Sequence, residues 1–150
     1  MPPVLVRYLY WLTLAACLVA ASATTVVAWL DRDGNLRVWI DIALILIIFP
    51  FVVIALLAIW NRQHGIYLVV CLATVAMMGI WVFAFIWSDY QAIRREKPHQ
   101  GVMHMGTFGA LIVGWAGCGI ATGIIVIGRL YEKLAAKSID EPQSPEFGVE

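Results

Sequence analysis

Charge is scarce in this chain: Lys, Arg, Asp and Glu supply 13% of its 150 residues, ten basic against ten acidic. The even balance offers no basic surface for nucleic acid and no acidic tract for storing cations. Ionisable groups are also missing from the middle of every long apolar run, where an ion transporter or proton pump would need paired ones. The one acid inside such a run, Asp41, stands just past Trp39 and within about a turn of the run's end, in reach of water and of Arg37. It reads as an interfacial acid. Cysteine is equally sparse, with only Cys17, Cys71 and Cys118, all within apolar runs and none in a CxxC pair. That excludes a disulfide scaffold and a dithiol shuttle, leaving small residues packed among helices.

Histidine is missing from the apolar runs altogether. His64 falls in one connection and His99 and His104 in another, so a haem held inside a helical bundle has no axial ligands. There is no HExxH, and no span contains a Ser, His and Asp set or a paired carboxylate site. No catalytic residue, resident cofactor or metal is expected, and the chain reads as a non-enzyme. The group His99, Met103, His104 and Met105 has imidazole and thioether donors suited to copper, but it lacks a thiolate and sits at a helix entry. It reads as loop and interface residues.

Apolar residues, in contrast, make up 62% of the chain and gather into four runs, about residues 8–30, 38–60, 66–87 and 106–128. A helix of about 20 residues at a rise of about 1.5 Å crosses a hydrocarbon core of roughly 30 Å. The expected fold is therefore an all-α membrane protein, an antiparallel bundle of four transmembrane helices over residues 1–130. A polar tail follows over 131–150, fraying after one or two turns into a Pro- and Ser-containing segment. The first run follows Arg7 and contains the AxA sequence of Ala21, Ser22 and Ala23. Its apolar character continues to Trp29, longer than the core of a signal peptide, so it is read as a retained span.

Aromatic residues mark the run ends. Trp29, Trp39, Trp60 and Trp87 are expected as interface anchors, with Tyr8, Tyr67, Tyr90 and Tyr131 at similar levels. Trp81 and Trp115 fall deeper and are expected to fill gaps between helices. The connection at Asn61 to Gly65 is short, and Asp33 and Gly34 make a turn pair in the first connection. Helices 1 and 2, and helices 2 and 3, are therefore expected as antiparallel neighbours. Pro50, mid-run, removes a backbone donor and predicts a kink.

The fourth run is rich in small residues. At 100° per residue, Gly106, Ala110, Gly114, Gly117, Cys118, Ala121, Thr122 and Gly128 share about half of the circumference, while Gly119 and Gly123 form a GxxxG on another side. Lipid supplies little drive for helices to associate, so close approach over small residues supplies much of it. One face is expected to pack on helices 1 and 3. The second is available to a homo-oligomer or to a larger membrane complex.

With the spans placed, the chain resembles the MARVEL-like four-span proteins, particularly the small fungal members. The likeness rests on size, on the lengths of the connections and on the third run from Leu72 to Phe85. There Trp81, Phe83 and Phe85 stand among Ala73, Ala76 and Ala84, and Trp115 lies in a similar small-residue setting. A claudin-like Trp with a cysteine pair and a tetraspanin-like Cys-Cys-Gly are both absent. The resemblance implies a non-enzymatic role in membrane apposition, microdomain organisation or vesicle traffic, with both termini cytoplasmic, in the plasma membrane or an endomembrane. It carries over no binding residue. Basic residues do not choose an orientation. Arg7, Arg62, Arg129, Lys133 and Lys137 on one side equal Arg32, Arg37, Arg94, Arg95 and Lys97 on the other, so only the N-terminal amine and the resemblance point to termini inside. The partners expected are membrane lipids and, through helix 4, other membrane proteins, with the accessory subunit of an energy-converting or transport complex as the rival to a scaffold.

Overall fold

The computed structural model describes residues 1–30, 37–95 and 105–140. They form four α-helices: α1 (Pro3–Leu30), α2 (Arg37–Trp60), α3 (Gly65–Arg95) and α4 (Met105–Asp140). No strand occurs among the described residues, and the fold is an all-α bundle. Helices follow from the composition, because a segment apolar on all sides belongs where water cannot satisfy backbone groups, and a helix satisfies them within itself. Three of the four, α1, α3 and α4, are long and apolar enough to cross a membrane; Leu44–Trp60 of α2 is a shorter apolar helix.

The helices form a ring in the order α1, α3, α4, α2, with α2 and α3 touching across its short diagonal and no contact between α1 and α4 among the described residues. Pairs of touching residues give the directions. Met1 meets Gly65 and Ala20 meets Gly79, so α1 and α3 run parallel. Phe85 packs on Gly109 while Tyr67 reaches Glu132, so α3 and α4 are antiparallel. Pro50 packs on Gly114 and Asn61 bonds Arg129, so α2 and α4 are parallel. Arg7 and Arg62 line one cleft, which sets α1 antiparallel to α2.

One expectation is corrected here: helix 4 packs on α3 and α2, not on α1 and α3. Alpha-2 and α3 are antiparallel and in contact as expected, across the short diagonal of the ring. The reason is local shape. A methyl group at Gly114 would stand 3.4 Å from Pro50 Cγ, and one at Gly117 would stand 2.6 Å from Met78 Cγ. These notches bring α2 and α3 against α4, and α1 takes the remaining corner. Alpha-2 stays helical through Pro50, whose buried ring fills the Gly114 notch.

Each helix turns one stripe inward. Thr13, Cys17, Thr24 and Val27 of α1 are buried, as are Ile47, Phe51, Ile54, Leu57 and Ala58 of α2. On α3 the stripe is Leu68, Cys71, Val75, Met78, Val82 and Ile86, recurring at three- and four-residue steps as an inward helical face requires. Hydroxyls within the spans turn back on their own helices. Thr13, Thr24, Thr25, Thr74 and Thr122 each donate to the carbonyl four residues earlier, at 2.7–2.8 Å. Among the described residues no buried side-chain N or O lacks a partner, as a water-free setting demands.

The outer surface carries the remaining apolar side chains. Trp60 and Trp87 are exposed at the helix ends. Trp81 and Trp115, expected between helices, are instead 52% and 43% exposed. Trp115 stacks on Phe49 of α2 at 5.5 Å and Trp81 tilts on Phe85 at 6.0 Å, so these rings brace the outside of the bundle. A lipid-facing tryptophan loses no hydrophobic stabilisation, because acyl chains are as apolar as a core. The side chains of Trp29, Trp39, Asp41 and Met105, the turn at Asp33 and Gly34, and His99, Met103 and His104 lie outside the described residues.

The last helix is longer than its apolar run. It continues about three turns past Gly128 to Asp140, where fraying after one or two turns was the expectation, and at 36 residues spans about 54 Å. Leu130, Glu132, Lys133, Leu134, Ala135, Ala136 and Lys137 are good helix formers, so propensity sustains the helix after the apolar run ends.

Candidate functional site

Two features of the bundle involve residues with chemistry or shape to spare. The first is a polar cluster where the α2–α3 turn meets the exit of α4. The second is the outward side of α4.

The cluster begins in the turn. Asn61 is fully buried; its backbone carbonyl accepts from the His64 N–H at 2.8 Å, and the His64 carbonyl accepts from Tyr67 and Leu68 at 3.1 and 3.2 Å, which starts α3. The Asn61 amide donates to the Leu57 carbonyl at 2.9 Å, so its Oδ1 faces α4. There Arg129 donates to that oxygen twice, from Nε at 3.0 Å and Nη2 at 2.8 Å. Because guanidinium only donates, the amide orientation follows from chemistry.

Arg129 also meets His64, with Nη1 at 3.1 Å from Nε2 and Nη2 at 3.2 Å from Nδ1. A neutral imidazole has one lone-pair nitrogen, so only one of these contacts is a hydrogen bond. The guanidinium carbon stands 5.4 Å from the Tyr67 ring centre, within cation–π range. Tyr67 in turn donates from its hydroxyl to Glu132 Oε1 at 2.9 Å. A glycine at 128 makes this possible: a methyl group there would stand 2.7 Å from the Tyr67 hydroxyl oxygen and 2.9 Å from Cε1.

The result is a clasp. One cation draws together the end of α2, the turn and the start of α3, while Glu132, one turn further on the same helix, holds the tyrosine. Its groups are committed to one another and tie the α2–α3 turn to the exit of α4. Among the described residues no three His, Cys, Asp or Glu side chains gather as metal ligands. The sequence reading named none of these five as a site. The available signal was level: Asn61 and His64 follow the second run and Arg129 and Glu132 follow the fourth, so a four-span topology puts them at one end.

Helix 4 divides the small residues named from sequence. Gly106, Ala110, Gly114 and Ala121 are buried, and Gly117 is half-buried against Met78. Gly119 and Gly123 point elsewhere: nothing lies within 4 Å of a methyl group built on either. They sit in the middle of an outward stripe, Phe108, Ile112, Trp115, Gly119, Gly123, Val126 and Leu130, whose steps of four and three keep it on one face. Large apolar side chains thus flank a shallow notch. Compared with known proteins, the chain matches no family model, no curated protein and no solved structure.

Proposed function

We propose that this is a non-enzymatic integral membrane protein that organises membrane or protein assemblies through α4. The observation that carries the reading is the open Gly119 and Gly123 notch, which no part of the same chain occupies among the described residues. In lipid, a GxxxG face lets a second helix approach until backbones touch, gaining dispersion contacts that lipid chains do not match. The clasp supports the same role, because a bundle held at one end presents its outer face in a constant geometry. The MARVEL-like resemblance suggests membrane apposition, microdomain organisation or vesicle traffic as the setting.

The test is assembly measured apart from folding. Gly119→Leu and Gly123→Leu are expected to leave the thermal unfolding of the monomer in detergent within about 0.5 kcal/mol of the parent, since a methyl group at either position meets nothing within 4 Å. Both are expected to reduce association in bilayers, read by energy transfer between labelled copies or by recovery of a partner, by about tenfold or more. Unchanged association in both variants would sink the proposal.

The second reading, an accessory subunit of a larger complex, rests on the same notch and differs in who occupies it. Sizing a mild-detergent extract separates the two: the scaffold migrates alone or with copies of itself, the subunit with fixed foreign proteins.

Orientation belongs to the same proposal, with both termini and the Asn61 to Gly65 turn cytoplasmic. In a background lacking Cys17, Cys71 and Cys118, single cysteines at Gly34 and Gln100 are expected to label from outside intact cells. One at Gln63, an exposed residue of the turn, is expected to stay unlabelled. Labelling at Gln63 alone reverses the orientation, and labelling at only one outer position breaks the four-span topology.

A further inference from the structure

The end of the bundle that carries the clasp also holds a cleft between the start of α1 and the α2–α3 turn. Its volume is about 520 Å³, and Met1, Pro3, Val6, Arg7, Tyr10, Trp11, Arg62 and Gln63 line it. That lies within the range of about 300–1,000 Å³ usual for small-molecule sites. Both charged side chains on the wall are arginines, one from each element, and no carboxylate lines it. Neither the Arg7 nor the Arg62 guanidinium makes a hydrogen bond or ion pair among the described residues, unlike that of Arg129 close by. Two guanidinium groups thus face one cleft without a partner among the described residues, and an anion between them would draw on both.

The aromatic wall specifies the setting. Tyr10 and Trp11 pack edge to face at 5.3 Å, and Trp11 lies one helical turn deeper than Arg7 with 59% of its surface exposed. Below it Leu12, Leu18 and Val19 continue the exposed surface of α1 with large apolar side chains, and the exposed Ser22 turns its hydroxyl back to the Val19 carbonyl at 3.0 Å. Trp60 and Tyr8, both exposed, stand at the same end of the bundle. Cations above, amphipathic rings between and aliphatic surface below reproduce the layers of a phospholipid: phosphate, glycerol ester and acyl chain. Guanidinium forks suit phosphate oxygens, with which they form short charge-assisted pairs.

We infer that the cleft formed by Arg7, Arg62, Gln63, Tyr10 and Trp11 binds the phosphate-bearing headgroup of an anionic membrane phospholipid. This inference does not depend on what occupies the Gly119 and Gly123 notch, which lies on α4, out of contact with α1.

The experiment titrates the full-length chain, in neutral detergent, with short-chain phosphatidylglycerol, short-chain phosphatidylcholine and inorganic phosphate, counting bound molecules by native mass spectrometry. Saturable binding of phosphatidylglycerol is expected, at least tenfold tighter than phosphatidylcholine and not displaced by millimolar phosphate. Arg7→Gln with Arg62→Gln is expected to weaken it about ten- to thirtyfold, given the contribution of each basic residue near an anionic surface. Each single change is expected to have an intermediate effect. Lys133→Gln with Lys137→Gln, on the exposed extension of α4, is expected to leave binding unchanged. The single variants decide the matter should the double one unfold, because both side chains are exposed and each single change leaves the packing in place. Equal affinity for the two lipids, or parent-like binding in the arginine variants, overturns the site. Displacement by inorganic phosphate at equal concentration overturns the lipid as its source.

Discussion

Arg129→Ala is expected to destabilise the bundle by about 2 to 3 kcal/mol, the range for hydrogen bonds to a charged group when a buried acceptor is left behind. The acceptor is Asn61 Oδ1, which loses both of its donors, at 3.0 and 2.8 Å, in a side chain with no exposed surface. Arg129→Lys is expected to recover less than half of the loss, because an ammonium cannot present two donors in a fixed fork to one oxygen and stack on the tyrosine as well. Asn61→Leu removes the acceptor, so the double variant with Arg129→Ala is expected to be less destabilised than the sum of the singles, by at least about 0.5 kcal/mol. Reversible unfolding in mixed micelles measures all four. A lysine variant as stable as the parent, with additive singles, would show that the clasp contributes nothing beyond its side-chain volumes.

The second large effect is at Gly117. A methyl group there would already stand 2.6 Å from Met78 Cγ and 2.7 Å from its Sδ, and Met78 is 2% exposed. Alanine is expected to be partly absorbed, since methionine is unbranched and can swing its sulfur away. Leucine has no such outlet: its branch would enter the contact between α3 and α4, at a cost of about 1 to 3 kcal/mol typical of overpacking. The same unfolding measurement is the check, with Gly119→Leu beside it as a substitution of equal size on the open face. If Gly117→Leu and Gly119→Leu proved equally mild, the α3–α4 seam would not be the close contact the structure shows.

These two positions differ in how far sequence alone could reach them. Gly117 was visible beforehand as part of a small-residue arc, since helical periodicity groups residues by angle without knowledge of any neighbour. Its partner helix was expected too, since helix 3 was a named neighbour of helix 4, but the contact with Met78 was not, and the other named neighbour, helix 1, gives way to α2. Arg129 was visible only as a basic residue ending an apolar run. Its value depends on Asn61 and His64, residues more than 60 positions away in the chain, and on a glycine at 128 that admits Tyr67.

Helix number, helix type and the apolar character that makes three of the helices long and apolar enough to cross a membrane were legible from the sequence, because the transfer of each residue into lipid is close to a property of that residue and sums along the run. Helix lengths were legible only in part, since α4 outlasts its apolar run on intrinsic propensity and on the bond from Tyr67 to Glu132. The order of helices around the ring was settled by tertiary structure alone. So were the outward placement of Trp81 and Trp115, the division of α4 into a packed face and an open one, and the meeting of Arg7 with Arg62 at one cleft. Each depends on which surfaces touch, and in lipid that is decided by differences in close packing between pairs of helices, a quantity that no single run of residues contains.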